Sequence, residues 1–259
     1  MNFKGLNHEQ ELDLIPDHTF ILGLRGSLAH GTYTPTYGSS EHDDKDIMGA
    51  CFGPRETYLG FGRFEQRERM ITGSDGVVWD SVVYEIRKFF SLLLKGNPNV
   101  LCTLFLDENM FLYKDDIGKD LISHRDWFIG KHVYAPFKGY ASSQLSKMDR
   151  NVTANIGAVR KALVEEFGFD VKHSSHLIRL LRMGIEFLTE GVMHVHRHDA
   201  QELIDIKNGL WSREEVLDES KRLFGLLDEA YIRSTLPLLP ERDKVEEILG
   251  DYIMTYLTS

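Results

Sequence analysis

Hydrophobic positions change their spacing about halfway along the chain. In the first half, short apolar runs at residues 20–24 and 47–52 are each followed by glycine-containing turns. A third β-rich run covers residues 77–83, after the turn Gly73-Ser74-Asp75-Gly76. Short apolar runs between turn residues predict buried strands. The charged stretch at residues 60–72 predicts a solvated hairpin.

Other segments repeat their apolar residues every three or four positions, which predicts helices. One such helix lies within residues 84–94 and ends before Gly96-Asn97-Pro98. Another carries Leu177, Leu180, Leu181, Ile185 and Leu188 and ends at Gly191. Further helices are predicted at about 140–167, 199–207, 213–230 and 241–257. The change from strands to helices near residues 130–140 predicts an α/β module followed by a helical module.

Composition and charge exclude several classes of protein. The chain has 259 residues, 42% hydrophobic and 27% charged, which is typical of globular proteins and not of disordered or collagen-like chains. A net charge of −10 excludes a uniformly basic nucleic-acid-binding coat. Residues 138–182 nevertheless carry eight basic and four acidic side chains, so this segment is a candidate for binding an anion.

Two further features predict a cytoplasmic protein. Cys51 and Cys102 are too few for a disulfide framework and fit a reducing compartment. The first 17 residues resemble no targeting segment, and no apolar stretch is long enough to span a membrane.

The strongest candidate chemistry lies between residues 20 and 49. An apolar strand leads into Gly26 and Ser27, and Asp44 and Asp46 precede a second apolar strand. Glycine permits a close backbone approach to a phosphate, and a serine at a helix start offers its hydroxyl beside unpaired N–H groups. Aspartates two apart on a strand point to one face and suit Mg²⁺ bound together with phosphates. Either motif alone is also compatible with ordinary loop residues, but their order favours a site.

These residues resemble the signature of the DNA polymerase β-type nucleotidyltransferase superfamily. Further matching segments narrow the resemblance to the predicted, RNA-ligase-associated nucleotidyltransferases of bacterial and phage RNA repair. In chain order, these segments are Gly26-Ser27-Leu28-Ala29-His30-Gly31, Asp46-Ile47-Met48-Gly49, Arg87-Lys88-Phe89, Gly96-Asn97-Pro98-Asn99 and residues 172–181. The resemblance covers most of residues 20–215.

The resemblance implies an α+β fold, with a mixed sheet and flanking helices, followed by a helical domain. We expect a catalytic domain at residues 1–135 and a helical domain at 136–259 that closes a nucleotide cleft. The implied reaction transfers a nucleoside monophosphate from an NTP to a hydroxyl, with Mg²⁺ or Mn²⁺ as the cofactor. An RNA 3′ end is the favoured acceptor. A protein or a small molecule as acceptor, and a non-catalytic nucleotide or RNA sensor, are the alternatives.

The sequence departs from the family pattern in two places. The loop between Ser27 and Asp44 is longer than expected, which leaves Asp43 as a rival of Asp44. Asp44 is favoured because it and Asp46 flank a single residue and lead into Ile47. Cys102 stands where the family pattern leads us to expect a glutamate.

The superfamily uses a third carboxylate from a neighbouring strand. The candidates are Asp75, Asp80 and Glu85. Asp80 lies within a β-rich run, where an acid is costly unless it is paired or bound to metal. Asp75 lies in a turn, and Glu85 near a helix start has an ordinary explanation in the helix dipole. Asp80 is therefore predicted as the third metal ligand beside Asp44 and Asp46.

Lys172, His176 and Arg179 share one helix face, which predicts a basic wall that binds nucleotide phosphates or RNA. The alternative is a solvated helix side on which Arg179 pairs with an acid such as Glu186. A second cluster, His194, His196 and His198, would share one face of a strand. We interpret it as structural or solvated, because no cysteine lies nearby and Arg197 interrupts it.

Overall fold

The computed structural model describes residues 3–34, 44–148 and 164–259. Five strands form one mixed sheet in the order β3-β4-β2-β1-β5. The strands are β1 (Thr19–Leu24), β2 (Lys45–Cys51), β3 (Gln66–Thr72), β4 (Val78–Glu85) and β5 (Phe111–Lys114). β2 and β4 pair in parallel, whereas the other neighbours pair antiparallel. The predicted strands at 20–24, 47–52 and 77–83 correspond to β1, β2 and β4.

The predicted hairpin at residues 60–72 is wrong in its extent. This stretch supplies only β3, and its partner is β4 across the turn at residues 73–77. The many charged residues at 60–72 led to the interpretation that this stretch forms a solvated hairpin of its own. An exposed edge strand is charged for the same reason, so the pattern does not distinguish the two.

Helices cover the sheet and form most of the second half. They are α1 (His8–Leu14), α2 (Gly26–His30), α3 (Glu56–Leu59), α4 (Ile86–Leu94), α5 (Pro98–Leu101), α6 (Asp116–Ser123), α7 (Tyr134–Met148), α8 (Val171–Glu190), α9 (Ala200–Lys207), α10 (Arg213–Arg233) and α11 (Arg242–Thr258). The helix predicted at 140–167 is described as α7 up to Met148, and residues 149–163 lie outside the described residues. α8 carries the predicted leucine stripe and ends at Glu190, and Gly191, which caps it, has a left-handed φ of 71°.

The expected α+β architecture is confirmed, with a mixed sheet, flanking helices and a helical second half. One hydrophobic cluster contains side chains of both halves, including Phe20 of β1, Phe89 of α4 and Leu181 of α8. The boundary between residues 135 and 136 falls inside α7, and the two-domain division stays a prediction. Within the described ranges, no helix is long and apolar enough to cross a membrane.

Candidate functional site

Two predicted aspartates lie side by side in the sheet. Asp46 of β2 is the register partner of Asp80 of β4. Arg25 joins them, because its Nη2 donates to Asp46 Oδ1 at 3.0 Å and to Asp80 Oδ2 at 3.1 Å. Burial raises the pKa of Asp46 and outweighs the lowering effect of Arg25. The structure thus gathers two carboxylates around one cationic group.

Gly26 is required at this point for two reasons. Its φ is +60°, a conformation that favours glycine. A Cβ atom there would also lie 2.1 Å from Asp46 Oδ2. The structure shows that Gly26 makes room for the Asp46 carboxylate, and the expected approach of a phosphate to Gly26 stays a prediction.

A cavity of about 460 Å³ opens beside these groups. Its lining includes all the predicted site residues except Asp80: Gly26, Ser27, Asp44, Asp46, Lys172, His176 and Arg179. Ser27 lies in the first turn of α2, and the exposed Asp44 directly precedes β2. The predicted rival Asp43 lies outside the described residues.

Positive charge dominates the described lining of the cavity. Five basic side chains (Arg25, Lys147, Lys172, Arg179 and Lys207) face two carboxylates (Asp44 and Asp46). Arg179 is buried, and burial lowers its pKa to about 10, which leaves it charged at neutral pH. Burial, and then the charge of Arg179, hold the pKa of His176 well below its usual value. The cavity therefore suits a polyanionic ligand.

The two rivals of Asp80, Asp75 and Glu85, each accept hydrogen bonds from nearby backbone N–H groups. Asp75 is exposed and accepts a hydrogen bond from the Val77 N–H at 3.2 Å within the β3–β4 turn. Glu85 caps α4 by accepting from the backbone N–H groups of Arg87 and Lys88. None of the three carboxylates lines the cavity, but Asp80 shares Arg25 with Asp46, which does.

A family model describes most of the chain. The model of the RNA repair pathway DNA polymerase beta family matches residues 19–225. The chain belongs to this family. No curated protein matches it. A solved structure, that of a nucleotidyltransferase-like protein from Exiguobacterium sibiricum 255-15, is similar at 11% identity and a TM-score of 0.33. The match covers 87% of this chain and 72% of that one.

The family is a nucleotidyltransferase family, and such enzymes generally use a divalent cation. Asp46 and Asp80 supply hard oxygen donors, and the guanidinium between them is a stand-in cation in contact with both. The pair therefore fits a metal ion. Across the described residues, no three side chains of the His, Cys, Asp or Glu type are grouped closely enough to hold one. Asp44 is therefore not grouped with Asp46 and Asp80 into a three-ligand centre, and its role as a metal ligand stays a prediction.

Sequence reasoning missed three functional candidates: Arg25, His30 and Lys207. All three line the cavity. Lys207 is buried and donates to the Thr32 carbonyl oxygen and to Thr34 Oγ1, both at 3.2 Å. Arg25 and His30 each had a sequence signal, since Arg25 directly precedes Gly26-Ser27 and His30 lies in the matching segment that begins there. Lys207 had none, and it is brought to the site by contacts distant in sequence.

The remaining sequence candidates lie as follows. His194, His196 and His198 are exposed on an irregular extended segment, and His194 Nε2 lies 2.8 Å from Glu190 Oε2. Cys102 lines the cavity, but burial raises its pKa to about 11, which keeps it a neutral thiol. The suggested pairing of Arg179 with Glu186 is wrong, because Arg197 binds Glu186.

Proposed function

We propose that the protein is a metal-dependent nucleotidyltransferase that transfers a nucleoside monophosphate from an NTP to the 3′ hydroxyl of an RNA. Membership in the RNA repair family supports the reaction class and the RNA acceptor. The single observation that carries the proposal is the pairing of Asp46 with Asp80 beside a basic cavity. This combination serves phosphoryl chemistry, which needs both cation-binding oxygens and groups that neutralise phosphates.

The residues divide into two groups by role. Asp44, Asp46 and Asp80 would hold Mg²⁺ or Mn²⁺. The metal would supply stabilisation of the negative charge that develops on the transferring phosphate and on the leaving group. The phosphates of the NTP would be bound by Gly26, Ser27, Lys172, His176 and Arg179. The family resemblance favours both the metal-binding and the phosphate-binding roles.

The proposed step forms one bond to phosphorus and breaks another. The oxygen of the acceptor hydroxyl bonds to the α-phosphorus of the NTP. The bond from that phosphorus to the bridging oxygen breaks, and pyrophosphate leaves with the electron pair. Asp80 is proposed to receive the hydroxyl proton. The basic side chains neutralise the phosphates and orient the α-phosphorus toward the acceptor.

The test is a transfer assay with each α-³²P-labelled NTP and either Mg²⁺ or Mn²⁺. The acceptor is an RNA oligonucleotide with a 3′ hydroxyl, and its control is the same RNA with a 3′-deoxy end. We expect label on the hydroxyl RNA alone. Asp46→Asn should lower the rate by about two orders of magnitude or more, because a metal ligand is lost. Asp75→Asn, the matched control in an exposed turn, should retain activity.

Three outcomes contradict the proposal. Absence of transfer with every NTP and both cations overturns nucleotidyl transfer. Near-normal transfer by the Asp46→Asn protein overturns the assignment of the site. Label on protein or on a small molecule, with none on RNA, overturns the acceptor while leaving the reaction class standing.

A further inference from the structure

Arg179 of α8 is a buried cation without a carboxylate partner in the described part of the chain. Only 8% of its surface is exposed. Its hydrogen bonds both come from Nη1, to His30 Nε2 at 2.8 Å and to Met183 Sδ at 3.3 Å. Nε and Nη2 have no acceptor among the described residues, and the side chain lines the cavity. A buried charge in this state is costly unless an anion binds it.

His30, at the last position of α2, fixes one end of this guanidinium. The imidazole is buried between Arg179 and the Val195 carbonyl oxygen, which lies 2.9 Å from Nδ1. A carbonyl oxygen only accepts and a guanidinium only donates, so Nδ1 carries the hydrogen and Nε2 accepts. Burial, and then the charge of Arg179, hold the pKa of His30 well below its usual value. The ring is therefore neutral, as this arrangement requires.

The backbone around His30 is itself fixed. The Arg197 N–H donates to the His30 carbonyl oxygen at 3.2 Å. The Arg197 side chain is buried and bound to Glu186 and Asp199. Gly31, at φ +70°, ends α2 where a Cβ would lie 2.8 Å from His196 Nε2. The backbone and both ring nitrogens of His30 are thus held, and Nε2 in turn holds Nη1 of Arg179.

We propose that His30 is a positioning residue, whose neutral imidazole holds Arg179 so that the other guanidinium N–H groups bind the phosphate chain of the nucleotide. The inference rests on the proposed function for the identity of the ligand. A flexible arginine loses much conformational freedom when it binds, and a held guanidinium has already lost it. Around Arg179, the charge of Arg197 opposes a second cation, and Asp199 is a carboxylate that acts on Arg179 without a hydrogen bond to it.

The test measures the affinity of tripolyphosphate, which has no base or sugar, by isothermal titration calorimetry. Three variants separate the two hydrogen bonds of the His30 ring. In His30→Gln, the amide oxygen replaces Nε2 as the acceptor for Arg179. In His30→Asn, the shorter amide keeps the donor toward Val195 and does not reach Arg179. His30→Leu removes both groups. We expect binding within about threefold of wild type for Gln and losses of about tenfold or more for Asn and Leu.

Two further measurements separate this inference from the proposed function. Arg179→Gln should lose tripolyphosphate binding by about tenfold or more. If that variant binds normally, the phosphate role of Arg179 in the proposed function fails. If Arg179→Gln loses binding but His30→Asn and His30→Leu, folded by thermal melting, bind like wild type, only the role of His30 fails. Equal losses in Gln and Asn also overturn it, since a merely structural histidine would not distinguish them. An effect of Arg179→Gln confined to a hydroxyl-ended RNA oligonucleotide would assign the arginine to RNA instead.

Discussion

Arg25 and a divalent cation should compete for the same two carboxylates. Since Asp46 Oδ1 and Asp80 Oδ2 both lie within 3.1 Å of Arg25 Nη2, these oxygens are at most about 6 Å apart. At an effective dielectric constant of about 20, two unit charges at that distance repel by about 3 kcal/mol. The guanidinium offsets this repulsion, and the side chains are about three-quarters buried, with 25–28% exposed.

Arg25→Gln should therefore destabilise the protein when no divalent cation is added. We expect a loss of about 2 kcal/mol, less than the full repulsion because the site is partly solvated. That corresponds to a melting temperature about 4–8 °C lower. Without its competitor, Mn²⁺ should bind about tenfold more tightly. Saturating Mn²⁺ should then recover about 1.4 kcal/mol of the loss.

The assay is thermal melting of wild type and variant over a Mn²⁺ titration, with affinities from calorimetry. Arg69→Gln is the matched control, because Arg69 pairs with Asp13 at an exposed position. It should change the melting temperature little and leave the response to Mn²⁺ unchanged. The reasoning is refuted if Arg25→Gln melts like wild type, or if it binds Mn²⁺ more weakly. The second result would mean that Arg25 organises the carboxylates for the metal and does not compete with it.

Three other predictions concern single side chains. Asp80→Asn should abolish transfer in a labelled-NTP assay while Asp75→Asn retains it; the reverse result would show that the wrong carboxylate was assigned. Arg179→Ala should make the slope of log affinity for single-stranded RNA against log salt less negative by about 0.7 if it contacts one phosphate, and an unchanged slope contradicts that contact. Burial alone would raise the pKa of Asp199, but its hydrogen bonds from Arg197 and Arg182 prevail and lower it to about 2. The Asp199 carboxylate therefore stabilises the fold above its unfolded pKa and loses that contribution as the pH falls toward 2. In urea unfolding, Asp199→Asn should lower the free energy of unfolding by at least about 2 kcal/mol at pH 7 and by less at pH 3. A cost independent of pH would contradict the assignment.

The sequence by itself determined the elements whose signals are local. The apolar run of β1, the spacing of α4 and α8, and the glycine after α8 each depend on neighbours a few residues away, and each was predicted from that spacing. Gly26-Ser27, Asp44 and Asp46 were predicted as a site for the same reason, since their order along the chain is itself the signal. The charged stretch at 60–72 was misread because solvent exposure gives a hairpin and an edge strand the same composition.

Only the tertiary structure decided which charged groups meet. The β2–β4 register placed Asp80 beside Asp46, and Glu85, five residues further on, became a helix cap. His30 reaches Arg179 across 149 positions, and Lys207 reaches Thr32 across 175. No periodicity or motif encodes such pairs, because any long polar side chain on a helix is equally compatible with solvent. Whether a charge is buried, and beside what, is set by the packing of whole elements, and at Arg179 that packing left a buried cation facing the cavity.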